Sequence, residues 1–190
     1  MELVLIDVAG TWRQVADAAR TTMNKDLGAG DPPDWWKKSI TRAEHSPIRL
    51  ITFHMKAFGV KSWITVHNVR HSVGIDHFVS TQRSDRTGVN RDEAPQGTLV
   101  NYEFNVNLME LVHISRLRFC GQAHSETQGF WNEVINFLDQ TEKSRVLIHP
   151  VLDLMAPKCV ACGGRCPEMK PCGFSESKAC KEDVEAFWAK

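Results

Sequence analysis

A chain of 190 residues, 42% apolar and 24% charged, has the composition of an ordinary globular protein and suffices for one well-buried domain. Its 23 basic and 23 acidic residues cancel, so no overall field draws it to nucleic acid, although a local group of Arg and His side chains can still take a small phosphate. No apolar run approaches the roughly 20 residues of a membrane span, and MELVLIDVAGTW lacks the basic and apolar regions of a secretory leader, so a cytoplasmic protein with no membrane partner is expected.

Glu2 to Val8 is short, apolar and β-branched, which predicts a strand. Thr11 is placed to cap a helix in which Trp12, Val15, Ala16 and Ala19 recur at helical spacing. The Gly28 to Pro33 segment ends it in a loop. Ile48 to Val60 and Ser62 to His67 are rich in Ile, Val, Phe and Thr and predict two strands, with Gly59 at the connection or a bulge. From Arg70 to Gln96 periodicity fades, and a long functional loop is expected. Asn105 to Ala123 reads as a helix with Leu108, Leu111, Val112 and Phe119 in one stripe. Thr127 to Leu138 is a second helix after a break at Gly121, and Glu182 to Trp188 a short closing one. The mixture predicts an α+β fold.

Three segments carry a family likeness. The first is Glu44-His-Ser-Pro47, followed by the chain running to Arg70. The second is RHSVGIDHFVSTQR, opening at Arg70-His71. The third is Asn107 to Arg118 (NLMELVHISRLR), closed by Gln122-Ala-His-Ser-Glu126. In order and separation they resemble the flavin-dependent thymidylate synthases of the ThyX type. There the corresponding segments read HE(S/T)P-x-EH, R-H-R-x-x-S-x-N-E-x-S-x-R, and N-A-R-x-L-x-x-F-x-x-L-R with A-Q-W-E-I-R. The likeness runs from the N-terminus to about Leu138.

The resemblance implies a curved antiparallel sheet with packed helices, a homotetramer with sites at subunit interfaces, and reductive methylation of dUMP to dTMP. FAD is then the cofactor, with NADPH and methylenetetrahydrofolate as co-substrates. Carried over by position, Ser46, Arg70, His71, Ser72, Phe78, Arg118 and Gln122 fall at flavin-contacting positions. His67, Asn68, Val69, Arg70, Ser80, Gln82 and Arg83 fall at the nucleotide, and Gln128 with Arg118 at the catalytic positions. The chain departs from the pattern in several places. Ser72 replaces the second signature arginine, Ile75 the serine, His77 the asparagine and Phe78 the glutamate, while Arg49 stands where the family has a glutamate. Gln128 replaces the arginine held to polarise the pyrimidine, and a neutral amide stabilises developing negative charge less well than guanidinium. Two alternatives follow: an enzyme modifying another pyrimidine nucleotide at C5, and a non-catalytic metal-binding protein on the same scaffold.

Arg116 and Arg118 point about 200° apart on a helical wheel, so they serve one ligand only across a subunit contact. Cys120 on an apolar helix reads as inert packing. The remaining cysteines crowd into Cys159-x2-Cys162-x3-Cys166-x5-Cys172-x7-Cys180. Residues 157–190 are therefore expected to form an extension of a 1–156 catalytic domain. Cys159, Cys162, Cys166 and Cys172 are the expected ligands of a structural Zn²⁺, with glycines and prolines between them for a folded-back knuckle. A reduced flexible tail and an iron–sulfur cluster are the other readings of that spacing.

Overall fold

The structure is a computed structural model that describes residues 1–28 and 30–189. Ala29, inside the expected Gly28–Pro33 loop, and Lys190 lie outside the described residues. The chain runs β1 (Glu2–Ala9), α1 (Trp12–Thr21), α2 (Asp34–Arg42), β2 (Thr52–Lys61), α3 (Ser62–Asn68), β3 (Ile75–Val79) and α4 (Ser84–Thr87). It continues through β4 (Leu99–Asn107), α5 (Leu108–Arg118), α6 (Ser125–Gln140), α7 (Glu142–Ile148), α8 (Lys158–Ala161) and α9 (Lys178–Trp188), with short 3-10 turns between.

The four strands form one antiparallel sheet in the order β1-β2-β4-β3. Alternation decides its two faces. Phe53, Met55 and Ala57 of β2 and Val100, Tyr102, Phe104 and Val106 of β4 turn inward and are buried. His54, Lys56, Glu103 and Asn105 turn outward. Gly59, at positive φ, sits in the register shift between Ala57 and Val60, which is the bulge expected from the sequence.

Helices cover the inner face. In α6, Thr127, Phe130, Trp131, Val134, Ile135 and Leu138 are buried at helical spacing, and the aromatic rings of Tyr102, Phe104, Phe130 and Trp131 pack together. Full burial of each such side chain contributes about 1.5–3 kcal/mol. Thr11 caps α1 as expected, its hydroxyl accepting the Gln14 N–H at 3.2 Å. The Cys-rich segment joins the same core, for Cys159, Val160, Cys180 and Phe187 are buried in it.

Three local expectations need correction, and one helix was not anticipated. Ser62 to His67 is the helix α3, not a strand: Ile64, Thr65 and Asn68 bury one helical face, and that packing outweighs the β propensity of WITV. The long loop after Arg70 contains β3, a short edge strand that buries only Ile75 and so left little apolar signal. Asn101 to Asn107 is strand, and the next helix starts at Leu108, because the NYEFNVN stretch alternates in burial. The unassigned DWWKKSITR is α2, which buries Lys37, Ile40 and Thr41. Gly74 is required where β3 begins: it has φ +81°, and a Cβ there would lie 2.4 Å from the Asn107 amide that caps α5. Among the described residues no helix is long and apolar enough to cross a membrane.

Candidate functional site

The turn that ends α3 builds the site. Asn68 is fully buried; its Oδ1 accepts the Trp131 indole N–H at 3.0 Å, and its carbonyl accepts the His71 N–H at 2.9 Å. These bonds lock the turn and leave Val69 and Arg70 exposed while His71 turns inward. The Asn68 Nδ2 is buried without a partner, an unsatisfied donor at the site's base.

His71 meets two partners. Its Nδ1 lies 3.0 Å from Glu110 Oε1, and its Nε2 receives the Arg118 Nε–H at 3.0 Å. A guanidinium has only donors, so Nε2 must be the accepting nitrogen and the ring proton must sit on Nδ1, donated to the Glu110 carboxylate. His71 is therefore neutral, in a defined tautomer, between a buried anion and a cation. His77 is fixed by the same logic. Its Nε2 donates to the His71 carbonyl at 2.6 Å, and in the neutral ring Nδ1 then accepts from the Tyr102 hydroxyl at 2.6 Å. Burial pushes the Tyr102 phenol far above its ordinary pKa, which keeps that hydroxyl a donor.

Arg118 also donates to the His67 carbonyl at 2.8 Å. His67 packs edge-on against Trp63 and lies 3.2 Å from the Thr127 hydroxyl. Burial, and then the charges of Arg118, Arg70 and His124, lower its pKa, so at neutral pH it carries no charge. Burial and the nearby Arg70 likewise work against the charge on Arg118. Among the described residues no carboxylate lies within ion-pairing distance of Arg70 or Arg118. Two neighbouring guanidiniums without counter-ions, beside neutral histidines, suit an anionic ligand such as a phosphate.

Arg116 diverges from Arg118 as the helical wheel requires. It pairs with Glu44, whose other oxygen lies 3.0 Å from His113 Nε2. Glu44 holds a positive φ of 53°, sparsely populated for a residue with a side chain, and these two contacts hold it there.

The structure thus brings together His67, Asn68, Arg70, His71 and Arg118 from the residues named by sequence. The others are scattered. Ser46 is exposed on a 3-10 turn, and Ser72 is exposed beyond His71. Phe78 is 58% exposed on the outer face of the sheet, away from the Arg70 turn. Ser80 is tied to the β4 edge at Asn101, Arg83 pairs with Asp85, and the half-buried Gln82 has an unpartnered Nε2. Gln122 donates to the Lys170 carbonyl at 2.8 Å. Gln128 turns its amide nitrogen to the carbonyls of Cys120 and Ala123 at 3.1 and 2.7 Å, closing the α5–α6 connection. Sequence reasoning missed Glu110, Trp63 and Tyr102, and named Glu44 only as the start of the first family-like segment. Glu110 did leave a signal, as a lone carboxylate in the apolar run LMELV.

Among the described residues no three His, Cys, Asp or Glu side chains gather closely enough to hold a metal ion. That includes the expected set of Cys159, Cys162, Cys166 and Cys172.

The fold is ThyX-like. The flavin-dependent thymidylate synthase ThyX from Helicobacter pylori, solved in complex with FAD and dUMP, superposes with a TM-score of 0.61 at 12% identity. That match covers 80% of this chain and 100% of the other. A second structure of the same Helicobacter pylori protein with FAD and dUMP gives the same score and identity over 80% and 99%. The UMP/dUMP methylase PolB from Streptomyces cacaoi, bound with 5-Br dUMP, gives 0.58 at 13% identity, covering 79% of this chain and 96% of that one. No family model and no curated protein matches the sequence.

Proposed function

We propose that this protein is a flavoenzyme that methylates dUMP to dTMP. The single observation behind this reading is that Arg70, which opens the ThyX-like signature, lies beside Arg118 of the third segment with no carboxylate partner for either among the described residues. FAD and dUMP are both phosphate anions, and two guanidiniums without a carboxylate partner among the described residues, with an unsatisfied buried amide at Asn68, are the donor chemistry they need. Arg70, Arg118 and the backbone around Ser72 then hold the cofactor, with Ser46, Phe78 and Gln122 contributing from other subunits of a homotetramer. His67, Asn68, Val69, Ser80, Gln82 and Arg83 face the nucleotide.

Bound FAD would supply the redox chemistry, with methylenetetrahydrofolate giving the carbon and NADPH the electrons. The chain's own residues bind and orient. His71 has no proton at Nε2 to give, so its task is to hold Arg118 in place. His67 is neutral and its Nε2 makes no hydrogen bond among the described residues, so with its proton on Nδ1, donated to Thr127, that nitrogen is open to take one from the substrate.

A second reading, modification of another pyrimidine nucleotide at C5, is favoured by Gln128. Its amide nitrogen is committed to backbone carbonyls and leaves no charged donor for a dUMP carbonyl. Release of tritium from nucleotides labelled at C5, measured with FAD, NADPH and methylenetetrahydrofolate present, decides among the outcomes. Release from dUMP supports the first reading and release from another pyrimidine nucleotide alone supports the second. Release from none, in a protein that also fails to bind FAD, sinks both. Sedimentation tests the shared site, and a monomer that still turns over refutes the tetramer.

A further inference from the structure

A continuous chain of polar side chains runs along α5 to the anion locus. Glu110, His113 and Arg116 follow one another at three-residue spacing, which sets them on neighbouring positions of one helix face. Glu110 Oε1 lies 3.0 Å from His71 Nδ1, and its Oε2 lies 3.4 Å from His113 Nδ1, an ion-pair contact rather than a hydrogen bond. The other His113 nitrogen, Nε2, lies 3.0 Å from Glu44 Oε2, and Glu44 Oε1 meets Arg116. At the far end, His71 Nε2 receives the Arg118 Nε–H at 3.0 Å. The chain thus leads from His113, whose side chain is 40% exposed, through the buried Glu110 and His71 to a guanidinium of the anion locus. Glu44 reaches His113 from a backbone at φ 53°, a conformation that persists only where surrounding contacts hold it.

His113 faces a carboxylate from each ring nitrogen. A neutral imidazole has one N–H and turns a lone pair toward one of the two, so this seat fits the imidazolium, which points a proton at both. From the elements packed against α5 no third carboxylate pairs with it among the described residues. Glu103 of β4 pairs with His54 and Lys56, Glu126 and Asp139 of α6 pair with Lys61 and His149, and Glu133 of α6 makes no ion pair. The cations brought in are Arg116, across Glu44, with His45 and Arg49 at the Ser46–Leu50 turn and Lys158 on α8, these last three exposed. We infer that His113 is a positioning residue for the anion locus: it holds Glu110, Glu110 holds His71, and His71 holds Arg118. The inference rests on the reading of Arg70 and Arg118 as the anion site. Polarity passes along the chain, because the charged Glu110 keeps the His71 proton on Nδ1 and so leaves Nε2 to accept from Arg118. With His113 neutral, the closer Glu44 contact keeps its single proton, and Nδ1 sets a lone pair against Glu110 Oε2. Glu110 then loosens its hold, and a His71 ring protonated on Nε2 meets the Arg118 Nε–H donor to donor. Packing does not fix Arg118 in its stead, for it borders a cavity of about 240 Å³ where the Cys-rich segment closes on Cys120 and the end of α5. A single partly exposed ion pair carries the coupling, so its loss should weaken anion binding about two- to fivefold.

The test takes the full chain at pH 6 and pH 8, with two readouts. Nitrogen NMR follows the His71 and His113 rings without ligand, and titration gives the Kd for FAD, whose pyrophosphate keeps its charge across that range. In wild type the His71 signals should move toward the other tautomer with the same midpoint as His113, and the FAD Kd should rise with pH. His113→Gln, which lacks the titrating charge, should leave the His71 signals still and bind FAD at pH 6 about two- to fivefold more weakly than wild type. Protonation of His67 and His124 adds charge in both proteins alike, so the ratio of the two Kd values at each pH isolates His113. His113→Lys, charged at both pH values, should bind FAD at pH 8 at least as well as wild type. His149→Gln, at an exposed ion pair with Asp139, serves as the control and should follow the wild-type profile. His71 signals that stay still while His113 titrates, or a Kd ratio between pH 8 and pH 6 that is the same in His113→Gln as in wild type, would overturn the inference. A wild type that binds no FAD removes the flavin reading instead, and the His71 signals then decide the positioning by themselves.

Discussion

Replacing Arg70 with alanine removes one of two adjacent guanidiniums while leaving the fold almost untouched. Its side chain is exposed and has no carboxylate partner among the described residues, so the change in stability should stay within about 0.5 kcal/mol. Its charge also opposes that of Arg118, so its loss slightly relieves the ligand-free protein. Binding should respond very differently. One charge-assisted hydrogen bond to a phosphate contributes about 1.5–3 kcal/mol, which is roughly a tenfold to 150-fold weaker Kd for FAD at about 1.4 kcal/mol per decade. Because the site faces solvent, the difference should narrow as salt is raised. Titration followed by flavin fluorescence gives the two Kd values, and thermal unfolding checks the fold. An Arg70→Ala protein that unfolds like wild type and binds FAD within twofold of it would refute the anion locus.

Glu110→Gln keeps an acceptor for the His71 Nδ1–H but removes a buried charge, and should cost about 2 kcal/mol, or roughly 4–8 °C in Tm. In the wild type, nitrogen NMR of the His71 ring should show its proton on Nδ1; a proton on Nε2 would contradict the pairing. Gly74→Ala should lower Tm by a similar amount, through backbone strain and loss of the Asn107 cap, whereas Gly88→Ala, with nothing within 4 Å of its Cβ, should cost less. Equal losses in a thermal melt would show that the close approach to Asn107 is unimportant. His67 has its folded pKa depressed below the unfolded value of about 6.5, so the unfolded chain takes up the proton first as pH falls. The stability present above that pH should decline below it and level off under the folded pKa. Denaturant unfolding from pH 7.5 to 5 should show a shallower decline in His67→Gln; an identical slope would rule out this linkage.

Much of the architecture follows from local pattern alone. Glu2 to Ala9 is a strand, Thr11 caps α1, and the buried stripe of α6 recurs at helical spacing, because each depends on periodicity or a cap that neighbours do not override. The grouping of Arg70, His71 and Arg118 was legible only through motif order, since they are separated by nearly fifty residues. Where β propensity and tertiary packing disagreed, packing won, and WITVHN became the helix whose end shapes the site. Only the folded chain could place Glu110 beneath His71 and so decide the tautomer, because a hydrogen-bond direction depends on both partners at once. The same holds for Gln128, which matches a catalytic position by sequence yet binds backbone carbonyls in space. Cys120 reads as an inert helix residue until the turns around Gly163, Gly164 and Gly173 bring the Cys-rich segment back against it. Spacing along the chain relates residues only within a segment, whereas a cavity wall collects them from segments far apart.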